Sequence, residues 1–222
     1  MSNDAMSAPV SASGQVSEAL VTSIPFSFEP AGFVLVVSGP SGAGKGTLVD
    51  RLVAARPDCV FSISSTTRPK RATEQDGVQY EFMSREEFER RREAGRFLEW
   101  AEVHGHLYGT PVDPVDAGVK AGRIVVLDVD VQGGASVRRA RPDAVSVFVY
   151  PPSIDALRQR LLARGTDVAA VVERRLGNAP GELSQYNEYQ YLVVNDDLDQ
   201  AASHLIAIVD AERSRVRRLR AR

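Results

Sequence analysis

The sequence predicts an α/β fold in which a mainly parallel sheet is flanked by helices, and two observations lead to it. Continuous apolar runs rich in β-branched residues are typical of strands covered on both faces, and they occur at 33–37, 124–127, 145–149 and 191–194. Stretches with helix-like patterns separate these runs, at 47–56, 131–140, 153–164, 168–177 and 198–219. Strands that alternate with helices in this way indicate a doubly wound core.

Composition shifts divide the chain into a tail and one folded unit. Residues 1–30 are rich in Ser, Ala, Pro and Gly and show no periodicity, so we expect a flexible tail there and the fold at 31–222. Residues 62–114 are polar and aromatic and interrupt the alternation, which predicts an insertion into the core. Within it, Ser84 is placed to cap a helix that Gly95 ends.

Charge and cysteine content exclude several classes of protein. The 27 Lys and Arg against 29 Asp and Glu give a net charge of -2, so no global basic field points to nucleic acid or to a membrane as partner. The single Cys59 excludes an internal disulfide or a thiolate metal cage. No apolar run approaches the ~20 residues needed to span a bilayer, and no secretory signal is evident. We expect a cytoplasmic protein, and nothing in the pattern specifies an oligomeric state.

The last predicted helix ends in a cluster of arginines, at 213, 215, 217, 218, 220 and 222. Cations at a helix C-terminus interact favourably with the helix dipole. We therefore expect a solvated basic end here and not a binding patch.

The most specific motif directly follows the first apolar run and opens the first helix. It consists of Gly39, Pro40, Ser41, Gly42, Ala43, Gly44, Lys45, Gly46 and Thr47. Phosphate binding needs several backbone N–H groups that converge on one point, which glycines with positive φ allow. The helix N-terminus adds its dipole, and the lysine can reach the outer phosphates. The motif therefore predicts a nucleoside triphosphate site.

One position departs from the Walker A pattern. That pattern has Ser or Thr directly after the lysine, where the hydroxyl contacts Mg²⁺. This chain has Gly46 there and Thr47 one place later, as in the Gly-Lys-Gly-Thr of adenylate kinases. The loop is expected to be competent, and the sequence does not specify which hydroxyl, if any, contacts the metal.

The insertion contains a second set of polar residues suited to a nucleotide. Arg68 and Arg71 lie three apart in a segment interrupted by Pro69, and arginine forks suit a phosphate. Together with the hydroxyls of two tyrosines, at 80 and 108, they could hold a second phosphate opposite the glycine-rich loop. Glu99 lies among apolar residues, and a carboxylate that accepts from adjacent N–H groups is what recognition of guanine N1 and N2 requires.

Several motifs, in order from about residue 33 to the last helix, resemble guanylate kinases. They are Ser-x-Thr-Thr-Arg-x-x-Arg, Glu-Trp-Ala-Glu, Gly-x-x-Tyr-Gly-Thr, Leu-Asp-Val-Asp-x-Gln-Gly, Pro-Pro-Ser and Val-Val-Asn-Asp-Asp-Leu-Asp. The resemblance implies a P-loop nucleoside monophosphate kinase fold with a core (31–61, 115–150 and 181–222), a GMP-binding insertion (62–114) and a helical lid (151–180). It implies a phosphoryl transfer from MgATP to GMP or dGMP in purine nucleotide metabolism, with Mg²⁺ as cofactor and ATP and GMP as partners.

Residue roles are carried over from the same resemblance. The residues implied to contact guanine are Ser64, Glu99 and Thr110. Those implied to hold the GMP phosphate are Arg68, Arg71, Tyr80 and Tyr108. Asp128 and Asp130, which strand alternation places on one face, are implied to bind substrate and to orient Mg²⁺ through water. Lys45 and the lid residues Arg164, Arg175 and Arg160 are implied to be catalytic, and Asn195 to belong to the adenine-side loop of the ATP site.

Two other functions stay open on the sequence alone. Guanylate-kinase-like domains of membrane-associated scaffold proteins bind peptides, but typically have degraded phosphate loops, whereas this chain keeps the glycines and Lys45. A kinase for another nucleoside monophosphate is favoured by Gly46 and Thr47 and disfavoured by the guanine contacts. A regulatory GTPase lacks support, because the base-reading motif Asn-Lys-x-Asp does not occur.

Overall fold

The computed structural model describes residues 27–71, 74–103, 105–163 and 169–221. Within these ranges the helices are α1 (Lys45–Ala55), α2 (Arg85–Glu93), α3 (Val112–Lys120), α4 (Val131–Ala140), α5 (Ile154–Ala163), α6 (Ala169–Leu183) and α7 (Leu198–Arg213). The strands are β1 (Phe28–Pro30), β2 (Phe33–Ser38), β3 (Cys59–Phe61), β4 (Ser64–Thr66), β5 (Tyr80–Phe82), β6 (Phe97–Val103), β7 (His106–Pro111), β8 (Ile124–Asp128), β9 (Val145–Tyr150), β10 (Tyr191–Val194) and β11 (Leu219–Ala221). Most of the predicted tail lies outside the described residues.

The central sheet confirms the predicted fold class. Its five strands run in the order β10-β9-β2-β8-β3, and every neighbouring pair is parallel. The apolar runs of β2, β8 and β9 are buried almost throughout, because helices cover both faces of the sheet. On one face α1 and α7 pack through residues such as Leu52 and Leu205, and on the other α3 and α4 pack through Val115 and Val137.

The insertion forms a second sheet beside the carboxyl ends of the central strands. Its strands run in the order β5-β4-β7-β6, with β4 parallel to β5 and antiparallel to β7. Helix α2 packs on this sheet through Phe88, whose ring stacks on Phe97 at 4.4 Å between centroids. Ser84 caps α2 as predicted, because its side chain accepts a hydrogen bond from the Glu87 N–H.

The C-terminal segment differs from the prediction. Helix α7 ends at Arg213 and not at 219, and the chain returns as β11, which pairs with β1. The expected solvated basic end is wrong at Arg218, which is 7% exposed. Its guanidinium lies 4.3 Å from the centre of the Phe33 ring and bonds to Glu212 at 3.3 Å. The buried Glu212 carboxylate of α7 therefore holds Arg218 out of solvent, whereas Arg215, Arg217 and Arg220 are exposed.

Some elements were not predicted at all. Strand β1 lies in the stretch assigned to the tail, and its partner β11 is almost two hundred residues away in sequence. The short edge strand β3 and helix α3 also lacked a clear periodic pattern. Helix α6 extends past the predicted end at 177 to Leu183, because Ala179 and Leu183 are buried and continue its apolar face. No helix among the described residues is both long enough and apolar enough to cross a membrane.

Candidate functional site

A cavity of about 470 Å³ lies between the loop after β2, the second sheet and helix α6. It is lined by predicted site residues from all three parts: Gly39, Ser41, Gly42, Gly44, Lys45, Gly46, Ser64, Arg68, Arg71, Tyr80, Glu99, Tyr108, Asp128, Asp130 and Arg175. The predicted residues Pro40, Ala43, Thr47, Thr110, Arg160 and Asn195 are not among its lining residues. Arg164 lies outside the described residues.

Two glycines shape the loop that joins β2 to α1. Gly39 has φ +143°, and a Cβ there would lie 2.3 Å from the carbonyl oxygen of Val149. Gly44 has φ +93°, and a Cβ there would lie 2.3 Å from Nδ2 of Asn195. A side chain at either position would clash as well as strain the backbone. The loop therefore passes closely over β9 and the residue after β10 only because both positions are glycine.

The N-terminus of α1 is arranged for an anion. Within the described structure no side chain caps this helix and its first turn carries no acidic residue. Its first N–H groups and the positive end of its dipole therefore remain available to a phosphate. Lys45 Nζ donates to the carbonyl oxygens of Gly39 at 2.9 Å and Pro40 at 3.2 Å, so the ammonium folds back along the loop.

Arg160 and Asn195 brace the outer side of this loop. The Asn195 amide donates to the Ala43 carbonyl at 2.8 Å, and Arg160 donates to the same carbonyl at 3.3 Å and to the Asn195 carbonyl at 2.8 Å. Arg175, on α6, donates to the Ser41 hydroxyl at 2.8 Å from within the cavity. Arg175 thus faces the site, whereas the other two side chains hold the loop from behind.

A buried carboxyl group lies at the far end of the cavity. Glu99 is 7% exposed, and its Oε1 accepts from the Thr110 hydroxyl at 2.6 Å because β6 and β7 place the two residues opposite each other. Burial, together with the charge of Asp130, raises the pKa of Glu99 to about 7 against the opposing effect of Thr110. A Cβ on Gly133 would lie 2.9 Å from Glu99 Oε2, so α4 packs tightly against this group.

Between Glu99 and the loop lies a cluster of cationic and phenolic groups. The Arg68 guanidinium lies 5.6 Å from the ring centres of both Tyr80 and Phe82, and the Tyr108 ring lies 5.9 Å from that of Tyr80. Burial, with a smaller contribution from the Asp128 charge, raises the pKa of Tyr80 to about 12. The Tyr80 hydroxyl therefore keeps its proton and can donate to an anion.

The two aspartates lie on different elements, which corrects the expectation that they share one face of a strand. Asp128 is the last residue of β8, and its Oδ2 would lie 3.6 Å from a Cβ on Gly46. Asp130 instead caps α4, accepting from the Gly133 N–H at 2.7 Å. Both still line the cavity, because the strand ends and the helix begins at the same edge of the sheet.

Sequence reasoning missed five polar residues at or behind the cavity: Glu74, Glu102, Gln132, Asn178 and Glu182. Asn178 and Glu182 follow Arg175 by three and seven residues, and all three line the cavity. That spacing, typical of one face of a helix, could have revealed them. Burial raises the pKa of Glu182 against the opposing charge of Lys45.

A second, larger cavity of about 860 Å³ lies between β3 and α2. It contains none of the predicted site residues, and its charged residues include ion pairs such as Arg91–Glu81. The smaller cavity is therefore the candidate site.

Comparisons with known proteins show one family that this chain resembles along most of its length. Residues 32–212 match the family model described as guanylate kinase. A guanylate kinase of Symbiobacterium thermophilum is 53% identical over 84% of this chain and 89% of its own length, and one of Thermotoga maritima is 47% identical over 84% and 90%. The crystal structure of guanylate kinase from Anaplasma phagocytophilum superposes with a TM-score of 0.73 at 34% identity, covering 87% of this chain and 92% of that one.

Proposed function

We propose that this chain, which belongs to the guanylate kinase family, transfers the γ-phosphoryl group of ATP to GMP and releases ADP and GDP. One observation carries the proposal. The glycine-rich loop and the Glu99 pocket, with two arginines between them, line a single cavity. A donor held on the loop and an acceptor held by Glu99 would therefore meet phosphate to phosphate.

The acceptor half of the site recognises guanine and a monophosphate. The ionised Glu99 accepts from guanine N1–H and N2–H, while Thr110 and Ser64 complete the base contacts. Arg68 and Arg71 bind the phosphate, which also accepts hydrogen bonds from the hydroxyls of Tyr80 and Tyr108. Neither set of contacts involves the ribose 2′-hydroxyl, so we expect dGMP to be accepted as well.

The donor half positions ATP and stabilises charge in the transition state. The uncapped N–H groups of α1 hold the phosphates, and Lys45 moves from the Gly39 carbonyl to the transferring group. Arg175 leaves Ser41 for the same phosphates, joined by Arg164 of the lid and by Arg160, which would first have to release the Ala43 and Asn195 carbonyls. A phosphate oxygen of GMP is already nucleophilic at neutral pH, so the chain supplies positioning and charge and no base.

The residues present fit a magnesium ion held largely by the nucleotide. Among the described residues no three carboxylate, imidazole or thiol side chains are grouped closely enough to hold a metal by themselves. Mg²⁺ is usually bound through one or two carboxylates together with substrate phosphates and waters, and Asp128 and Asp130 match that pattern. When bound, Mg²⁺ neutralises charge between the phosphates. Asp128 faces the first turn of α1 at Gly46 and would orient a metal-bound water.

We also propose that the chain is divided into a core at 31–61, 115–150 and 181–222, a GMP-binding insertion at 62–114 and a lid at 151–180; of the expected tail at 1–30, Phe28–Pro30 form strand β1. We place the reaction in the cytoplasm, where its nucleotides are found.

A coupled assay of ADP release tests the reaction. The enzyme is given MgATP with GMP, dGMP, AMP, CMP or UMP in separate reactions. We expect turnover with GMP and dGMP alone. Turnover with another monophosphate instead would remove the base roles of Ser64, Glu99 and Thr110. Binding of GMP without turnover would favour a binding module over an enzyme.

A further inference from the structure

We propose that Glu74 is a positioning residue of the monophosphate site, which holds Arg68 and Arg71 in converging positions without touching the substrate. Glu74 has this role only if both arginines bind the GMP phosphate, so the proposal rests on the proposed function.

The Glu74 carboxylate contacts both arginines at once. Its Oε1 accepts from Arg68 Nη2 at 2.7 Å and lies 3.8 Å from Arg71 Nη1. Its Oε2 accepts from the backbone N–H of Arg71 at 2.8 Å, and the Glu74 N–H donates back to the Arg71 carbonyl at 3.1 Å. The Glu74 carboxylate thus holds the side chain of Arg68 and the backbone of Arg71.

Glu74 lies behind these arginines and not in the cavity. Arg68 and Arg71 line the cavity with Tyr80 and Tyr108, whereas Glu74 is not among its lining residues. The Glu74 side chain is 11% exposed and that of Arg68 is 13% exposed. A carboxylate in the cavity would compete with the phosphate, but one on the far side orients the cations and leaves their other N–H groups for the ligand.

The charge of Glu74 makes this arrangement stable before substrate binds. The hydrogen bond from Arg68 holds the pKa of Glu74 below its usual range, so the group is ionised at neutral pH. Two arginines that converge on one point repel each other, and a carboxylate between them offsets that repulsion. Arg68 is also held by its bond to the Pro69 carbonyl at 2.7 Å. An arginine that is already ordered loses less side-chain entropy when the phosphate arrives.

The test separates phosphate binding from base binding. Dissociation constants of GMP and of guanosine are measured by calorimetry for the wild type and for Glu74→Gln. We expect GMP to bind about tenfold more weakly to the variant, which corresponds to ~1.4 kcal/mol, and guanosine to bind within about twofold of the wild type. In the ADP-release assay the KM for GMP should rise by a similar factor, with a smaller change in kcat.

Glu89→Gln is the matched control. It removes a carboxylate that is paired with an arginine of the same insertion, Arg85 at 3.0 Å, but both side chains are exposed and lie outside the cavity. This variant should bind both ligands as the wild type does. Circular dichroism spectra show whether either variant has lost its fold, and an unchanged affinity for guanosine shows that the base pocket is intact.

Three results would overturn the role of Glu74. Unchanged GMP affinity would mean that the arginines hold their positions without it. Tighter GMP binding would mean that the carboxylate competes with the phosphate. Equal weakening of GMP and guanosine would mean a general structural role. Failure of the proposed function would look different, because the wild type itself would then bind GMP no more tightly than guanosine.

Discussion

Lowering the pH from about 8 to about 6 should weaken GMP binding through Glu99. In the free protein burial raises the pKa of this carboxyl group to about 7. A protonated carboxyl group has lost one acceptor and carries a proton toward the guanine N–H groups. Guanine therefore binds the ionised form, and the protonated fraction of the protein has to release its proton before it can bind.

The size of the effect follows from that pKa. The apparent dissociation constant is the intrinsic one divided by the fraction of competent protein, which at a pKa of about 7 is roughly one eleventh at pH 6 and roughly ten elevenths at pH 8. The expected loss of affinity is therefore about tenfold, or ~1.4 kcal/mol. The same raised pKa means that the native state binds a proton more tightly than the unfolded chain, so the contribution of Glu99 to stability is present below pH 4.5 and is lost as the pH rises from there to about 7.

Calorimetric titration of GMP across this pH range measures the effect. The GMP phosphate itself titrates near pH 6, so the wild-type profile is compared with that of Glu99→Gln, which keeps the phosphate but has no carboxyl group. Thr110→Val offers a second comparison: the Thr110 hydroxyl lowers the pKa of Glu99, so its loss should shift the midpoint above 7. Parallel profiles for the wild type and Glu99→Gln would refute the assignment of Glu99.

Three further predictions concern the loop, the base pocket and the C-terminal segment. Lys45→Ala should lower kcat by about 10²–10³-fold in the ADP-release assay and change GMP affinity little; near-normal turnover would contradict its role. Gly133→Ala should raise the KM for GMP, because the new Cβ would lie 2.9 Å from Glu99 Oε2, and an unchanged KM would show that the carboxylate moves freely. Arg218→Ala should lower the free energy of unfolding in urea by about 3 kcal/mol, since it leaves Glu212 buried with fewer partners. Burial alone would raise the pKa of Glu212, but Tyr191 and the nearby arginines hold this pKa below its usual range. The ionised Glu212 therefore contributes stability above the pKa it has in the unfolded chain, and this contribution is lost as the pH falls. If Arg218→Ala lowered the free energy of unfolding equally at neutral and at acidic pH, the pairing of Arg218 with Glu212 would be contradicted.

The sequence predicts the central sheet well because each of its strands has a local pattern. The runs that form β2, β8 and β9 are apolar at consecutive positions, which only coverage on both faces explains. Strands β1 and β11 lack such a pattern. They pair with each other next to the contacts of Arg218 with Glu212 and the ring of Phe33, and a partner distant in sequence cannot be read from local periodicity.

In the candidate site, too, residues within a local motif could be predicted from the sequence, and residues that depend on distant contacts could not. The phosphate loop is a contiguous motif with a mechanical reason for each glycine, so it can be found from the sequence. Glu74 could not be, because nothing in its neighbourhood indicates that its carboxylate contacts Arg68. Asp130 was placed on the wrong element because β8 ends at Asp128, where the chain turns into α4. Alternation along a strand stops being informative where the strand stops.

The pairing of β1 with β11 has a consequence for how the chain could be rearranged. Phe28 and Ala221 are register partners, so a short covalent linker could join them without disturbing the central sheet. New ends could then be opened at an exposed turn such as Gly122, where a Cβ would meet no other atom within 4 Å. Circular permutation is tolerated best at sites of this kind. Such a permutant would read from residue 123 through the lid and α7 to the linker, and would carry the phosphate loop and the base pocket, in their original order, in its second half.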